Sequence, residues 1–364
     1  MRPRFVSPRL DRTARAPATF RTSFHRTIAI LKATRMRAAV ITRHGGPDVL
    51  ETRDVARPEP GAGEVLVRVR ASALNRADLL QREGRYTAPP GWPADIPGME
   101  IAGEVESCGR GATLWKEGDR VFGIVGGGGN AESIVTHERT LAAIPANLSW
   151  TDAAAVPEAF ITAHDALVTQ AEVQLSERVL IHAIGSGVGL AALQLARAAG
   201  AEAFGDARTA EKIERARAFG LERGIVVGDD PGVVAKRVQE WTNGIGADIV
   251  LDLVGGAYTA VSIAAAAPKG RIILIGTMAG RETSLPLGVI LGKRLTLRGT
   301  VLRARPLEEK IDATRAFAAQ VVPLLAMGVV RPVVDRVFPL DAIAEAHRHL
   351  ESNATFGKVV LEHL

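Results

Sequence analysis

Val179-Leu180-Ile181-His182-Ala183-Ile184-Gly185-Ser186-Gly187-Val188-Gly189 is the stretch that decides the fold of this chain. Val179 to Ala183 reads as a strand buried on both faces, and Leu190 to Ala199 carries the spacing of a helix. Between them, small residues make a tight strand-to-helix turn. Such a turn lets a pyrophosphate approach the backbone where the first N–H groups of a helix are unpaired and its dipole is positive. The strict G-x-G-x-x-G spacing is not met: in the register ending at Gly189, Ile184 and Ser186 replace the first two glycines. A glycine-rich turn alone is often only a close connection, so the surrounding rhythm has to decide.

That rhythm alternates. Downstream come strand Ala203-Phe204-Gly205, a helix from Ala210 to Phe219, strand Gly224 to Val227, and a helix around Val233 to Trp241. Strands Asp248 to Leu253 and Arg271 to Ile275 follow. Strands alternating with helices predict a parallel sheet covered on both faces, and with it dinucleotide binding at the glycine turn. Before about residue 155 the pattern is mostly β, with short strands at Val65–Ala71, Ile101–Glu106, Arg120–Ile124 and Ser133–Thr136. Turn clusters, among them the four glycines Gly126 to Gly129, separate them. After about residue 300 a long helix (Leu307 to Met327) leads to strand Val333–Phe338, helix Asp341–Leu350 and strand Lys358–Leu361. The expected organisation is an α/β chain with three parts. A basic extension covers 1–35. A catalytic β domain covers 36–155 and is completed by 300–364. A nucleotide-binding domain covers 156–299.

Composition bounds the function. The 364 residues are 47% hydrophobic and 23% charged, which excludes wholesale disorder. At 4% aromatic content the chain has little material for stacking single-stranded nucleic acid. One cysteine, Cys108, excludes an internal disulfide or a cysteine-rich zinc module, and no apolar run reaches the length of a membrane span. A cytoplasmic protein is expected. The formal charge of +5 is unevenly placed. Nine basic residues stand against Asp11 alone between Met1 and Arg35, a net of +8, so the remaining 36 basic and 39 acidic residues carry −3. The extension is open to three readings: a start site that really lies at Met36, an organellar transit peptide, or an arm that binds nucleic acid. The mildly acidic body argues against nucleic acid as a partner.

The second strand of the alternating part ends in Gly205-Asp206-Ala207-Arg208-Thr209-Ala210-Glu211-Lys212. An acid about 20 residues beyond the glycine turn would bind the ribose of NADH. Counting from Gly189, Arg208 takes that place, with Lys212 one turn later, and two cations there suit the 2′-phosphate of NADPH. NADPH is therefore expected over NADH. Asp206 is the counter-indication, since an acid aimed at the ribose would favour NADH.

Longer stretches carry a resemblance. Ala73 to Leu79, Gln81 to Tyr86, Ala154 to Thr162, Val179 to Ala183, Ser186 to Gly189 and Gly357 to Leu361 are similar to the zinc-independent quinone oxidoreductase branch of the medium-chain dehydrogenase/reductase superfamily. The tumour-suppressor-inducible quinone reductases are the nearer likeness within it. The resemblance spans most of residues 36–364. It implies a β domain like the chaperonin-10 barrel around an inserted Rossmann domain, with the nicotinamide in the cleft between them. Zinc-dependent relatives carry a Cys at the position of Asn75, a His at Met99 and a Cys near Ala159. None of these three is a good zinc ligand here, so no zinc is expected.

The resemblance also implies site residues. Tyr86 would hydrogen-bond to or stack on the acceptor, and Asn75 would contact the nicotinamide ribose or the substrate. Thr162, Ser186, Gly187, Val188 and Gly189 would lie along the cofactor, with Gly276 and Thr277 on its other side. Val301 and Leu302 would touch nicotinamide, and Lys358 would approach a phosphate or the domain interface. Asp78 would anchor a helix. The implied reaction is metal-free transfer of hydride or electrons from NADPH to a quinone. The alternative is reduction of an activated C=C bond in an enone or enoyl substrate. A third reading, from another class, is a non-catalytic protein with a cofactor fold that binds RNA through its basic tail. Related enzymes pair as homodimers through the edge of the Rossmann sheet, and the same is expected here.

Overall fold

The structure is a computed structural model that describes residues 35–228 and 230–363. Residues 1–34, and with them the transit-peptide, start-site and RNA-arm readings, lie outside the described residues.

Six parallel strands form one sheet: β1 (Arg178–Ile181), β2 (Glu202–Ala207), β3 (Arg223–Val226), β4 (Ala247–Asp252), β5 (Ala266–Leu274) and β6 (Thr296–Gly299). Their order across the sheet, β3-β2-β1-β4-β5-β6, reverses direction between β1 and β4. That reversal is the switch point at which such sheets bind dinucleotides. Val179, Leu180 and Ile181 are wholly enclosed, which explains the unbroken apolar run in the sequence. Helix α1 (Gly187–Ala198) buries Leu190, Leu193 and Leu195 behind the glycine turn, each worth about 1.5–3 kcal/mol.

A seven-stranded, mainly antiparallel sheet builds the other lobe. Its path runs Val334–Pro339, Lys358–Glu362, Glu64–Leu74, Glu100–Cys108, Arg120–Ile124, Leu141–Ala143, with Ser133–His137 paired to Glu64–Leu74. Residues from the two ends of the chain thus share one sheet. Val359 pairs with Leu74, which places Lys358 beside Asn75 across 283 residues of sequence.

Several elements depart from the expected pattern. The helix beginning at Leu307 ends at Gln320, and a second one spans Val322–Ala326. Pro323 lacks an N–H and its ring clashes with the preceding turn, so one continuous helix is not possible. Leu287–Lys293 is helical although none of its residues is buried. Gly288, Gly292 and the flanking Pro286 weaken any helical signal there in the sequence. Leu50–Ala56 is a strand without clean alternation, paired with Arg35–Ile41. Pro157–Gln170 is helical throughout, with wide π turns at both ends, a distortion common at functional sites.

His347 is fully buried and packs against the buried Arg82. Burial and that guanidinium push its imidazole down to about 3. Arg82 further donates to the Gly45 carbonyl at 2.9 Å and pairs with Glu351. It thereby pins helix Arg76–Arg82 to the C-terminal helix Ile343–Glu351.

Candidate active site

The glycine turn forms a cradle. Ser186 Oγ accepts the Gly189 N–H at 3.0 Å and starts α1. A Cβ on Gly189 would lie 2.7 Å from the Ala183 carbonyl oxygen, and one on Gly187 would lie 2.4 Å from Lys358 Cδ. The backbone here is as close-packed as a pyrophosphate site requires. Gly185 and Ser186 line a cavity of about 500 Å³ together with Asp206, Arg208, Lys212 and Tyr258.

Three cations meet at its rim. Lys212 Nζ donates to the Asn353 carbonyl at 2.6 Å and Arg208 reaches the same oxygen at 3.5 Å, while Arg76 bonds to Asn353 Oδ1. Burial lowers the affinity of Lys212 for its proton, and the neighbouring Arg208 and Arg76 lower it further. Arg76 is likewise held down by burial and by Arg208. Such a cluster is relieved by an anion. Sequence reasoning missed Arg76, although it directly follows Asn75. Asp206 also lines the cavity, but its carboxylate is engaged: it pairs with His182 Nδ1 and accepts the Ala183 N–H at 3.2 Å. His182 Nε2 lies 3.0 Å from Ser262 Oγ, which completes a satisfied core histidine.

Under the glycine turn lies a buried ionic core. Lys358 Nζ donates to Asn75 Oδ1 at 2.6 Å and to the Leu74 carbonyl at 2.9 Å, and it pairs with Glu100 Oε1 at 2.6 Å. Asn75 Nδ2 donates to the same Glu100 oxygen at 2.9 Å. Both ends of the Asn75 amide are therefore engaged within the protein. Lys358 sits beneath Gly187 and Asn75 rather than among the rim cations. Asp78 accepts the N–H groups of Asn75 at 2.7 Å and Gly98 at 3.0 Å, tying helix Arg76–Arg82 to the next loop.

Above this core Tyr86, Arg303 and Glu158 lie close to one another. The Arg303 guanidinium lies 5.0 Å from the centre of the Tyr86 ring, a cation–π distance. Arg303 is buried, donates to the Gly126 carbonyl at 2.8 Å and to Gln81 Oε1 at 2.6 Å, and leaves Nη1 without a partner. Asp165 holds its loop: it accepts from Thr300 at 2.9 Å and from both ends of the Arg305 fork at 3.0 and 2.7 Å. Thr162 Oγ1 and Glu158 Oε2 are also enclosed without partners. Buried polar atoms left open in this way are what a polar ligand can complete. Together with the glycine cradle and the cation rim, they fit a nicotinamide dinucleotide.

The remaining expected residues scatter. Val188 is partly buried against the core behind the turn. Gly276 and Thr277 follow β5, where a Cβ on Gly255 would touch the Gly276 carbonyl and Thr277 Cα at 2.7 Å each. Val301 is 51% exposed and Leu302 packs in the core; it is the next residue, Arg303, that reaches Gly126, Gln81 and Tyr86. A second cavity, about 640 Å³, is lined by Trp92, Ile124, Gly126 and Leu307, and meets the site through the Gly126 carbonyl that Arg303 engages. Among the described residues no group of three His, Cys, Asp or Glu could hold a metal.

A switch-point sheet with a glycine cradle, a cation rim and a polar cleft defines a pyridine-nucleotide oxidoreductase. Comparison with known proteins agrees. Residues 61–162 match the alcohol dehydrogenase GroES-like domain, and residues 226–361 match the zinc-binding dehydrogenase family. A quinone oxidoreductase of Pseudomonas aeruginosa is 35% identical over 87% of this chain and 97% of its own. A mycobacterial protein solved in complex with NADPH superposes with a TM-score of 0.81 at 28% identity, covering 90% of this chain and 99% of that one. The CurK enoyl reductase gives 0.79 at 28% identity over 91% and 100%. The chain belongs to the quinone oxidoreductase family of the medium-chain dehydrogenase/reductase superfamily.

Proposed function

We propose that this protein reduces quinones with NADPH, without a metal, in the cleft beside Tyr86. The observation that carries the reading is the Tyr86–Arg303 pair, whose buried guanidinium keeps one nitrogen without a partner. Bound along the glycine cradle, the dinucleotide supplies hydride. Arg303 and Tyr86 offer a fixed cation and a phenol to an oxygen that gains negative charge, a preorganised stabilisation worth far more in a dry cleft than in water. Asn75, held by Lys358 and Glu100, shapes the floor. The test is stoichiometric: the purified chain, mixed with NADPH and 1,4-benzoquinone, should form one hydroquinone per nucleotide oxidised. No turnover with any quinone would end the reading.

The preference for NADPH rests on Arg208, Lys212 and Arg76 around Asn353, and on Asp206 being occupied by His182. Arg208→Glu should raise the KM for NADPH at least about tenfold more than that for NADH, the loss of one charge-assisted pair. Equal effects on both would rule out a phosphate clamp. The zinc-free reading rests on the donor set. Asn75, Met99 and Ala159 offer an amide, a thioether and a methyl group, and the Lys358 ammonium already supplies the cation between Asn75 and Glu100. Prolonged dialysis against a strong chelator should leave kcat unchanged, whereas inactivation reversed by zinc would contradict it.

A second copy of the chain is the partner we propose for the sheet edge. Strand β6 is exposed at all four positions, and beside it Leu287 and Leu291 are 70% and 79% exposed. An open edge strand with apolar neighbours is a pairing surface. Light scattering should give twice the 38.6 kDa chain mass, and Leu297→Arg should shift it toward one chain. A monomer before mutation would contradict the pairing. Among the described residues no helix is long and apolar enough to cross a membrane.

A further inference from the structure

Glu158 has no catalytic role in the reading given above. It lies in the wide first turn of the Pro157–Gln170 helix, four residues before Thr162, and its backbone N–H is pinned to Glu100 Oε2 at 2.7 Å. The residue as a whole is only partly buried, yet its carboxyl Oε2 is enclosed without a partner. The carboxyl therefore stands beside the buried ionic core, on the side of Arg303 and Tyr86. The charged and titratable groups that face it are Glu100, Lys358, Asp78, Arg303 and Tyr86, contributed by five separate segments.

We propose that Glu158 is the acid that protonates the reduced acceptor. This assignment rests on the quinone-reduction reading given above. Hydride brings two electrons and one hydrogen to the quinone, which leaves one ring oxygen as an anion while the pyridine nucleotide is oxidised. The O–H bond of Glu158 then breaks, its electron pair stays on the carboxylate, and the proton forms the hydroquinone O–H. Solvent at the open side of the cleft restores the carboxyl proton.

Geometry singles Glu158 out among the neighbouring acids. Both Asp78 oxygens accept backbone N–H groups, and the Glu100 oxygens are taken by Lys358, Asn75 and the Glu158 N–H. Among these three acids only Glu158 combines an unpartnered carboxyl oxygen with partial exposure of the residue. Burial first, and the neighbouring Glu100 second, push its carboxyl up to about 8. It is therefore protonated at neutral pH and close to the ideal strength for a general acid. The Tyr86 phenol is raised from its ordinary value of 10 by burial, so it donates a hydrogen bond but releases its proton poorly.

Two measurements on the full chain test this. In the cofactor-free protein, infrared titration should show a protonated carboxyl that persists through neutral pH, titrates near 8 and is absent in Glu158→Gln; the buried Asp78, also raised by burial, remains in that variant. With NADPH and 1,4-benzoquinone, wild-type kcat should fall as pH rises through that range, because the proton-bearing form is lost. Glu158→Gln should lower kcat by about 100-fold, a typical general-acid effect, with KM values within about twofold and the basic limb gone. Tyr86→Phe should keep that limb. The proposal is overturned if Glu158→Gln retains wild-type kcat and its basic limb, or if no carboxyl stays protonated near neutrality. Turnover with quinone alongside either result would sink this assignment alone. No turnover with any quinone would sink both it and the functional reading, whatever the infrared titration shows.

Discussion

Lys358→Met should lower the stability of the folded chain by about 3–5 kcal/mol, the usual cost of removing one partner from a buried ion pair. Lys358 is 5% exposed and Glu100 is wholly buried, with their charged atoms 2.6 Å apart. Without the ammonium, Glu100 keeps only neutral donors: the Asn75 amide at 2.9 Å and the Glu158 N–H at 2.7 Å. Methionine fills the volume of the stem but cannot bond to Asn75 Oδ1 or the Leu74 carbonyl. Removing the charge as well, in the double variant Glu100→Gln/Lys358→Met, should restore part of the loss. Chemical denaturation of the single and double variants measures both. A loss below about 1 kcal/mol for Lys358→Met would show that the ionic core does not hold the two chain ends together.

Arg303→Met should lower kcat/KM for the quinone by about 100- to 1000-fold, the range found when one preorganised donor is removed from a site of developing charge. The guanidinium is anchored by Gly126 and Gln81 at 2.8 and 2.6 Å and lies over Tyr86, so it costs no rearrangement at the moment of transfer. Arg303→Lys keeps the charge but loses the planar fork that serves two anchors and a ligand together, and should fall between the two. Steady-state kinetics with a thermal melt separates catalysis from folding. A kcat/KM within threefold of wild type in a folded Arg303→Met protein would make Arg303 structural only.

Local chemistry made much of this legible before folding. The glycine turn is a strand-to-helix junction, and a junction leaves small residues and an apolar run in adjacent positions, which one pass along the chain detects. Arg208 and Lys212 stand one helical turn apart and were readable for the same reason. Arg303 was not, because its partners are remote: it meets Gln81 across 222 residues and Gly126 across 177. Lys358 was expected near the cofactor or the domain interface. Its link to Asn75 depends on Val359 pairing with Leu74, a register no local pattern encodes. Glu158 fell inside a family-like stretch, yet its character depends on Glu100 and burial, neither of which a spacing reveals. Helix Leu287–Lys293 was hidden for the opposite reason, since it buries nothing and leaves no apolar stripe.

The central claim is that the cleft beside Tyr86 and Arg303 passes reducing equivalents from NADPH to a quinone. One competition measurement tests it most directly: kcat/KM for NADPH oxidation with 1,4-benzoquinone against that with a simple enone, in the presence of a chelator. The account predicts robust quinone turnover exceeding enone turnover at least about tenfold. A higher value for the enone would contradict it and make this chain a reductase of activated C=C bonds.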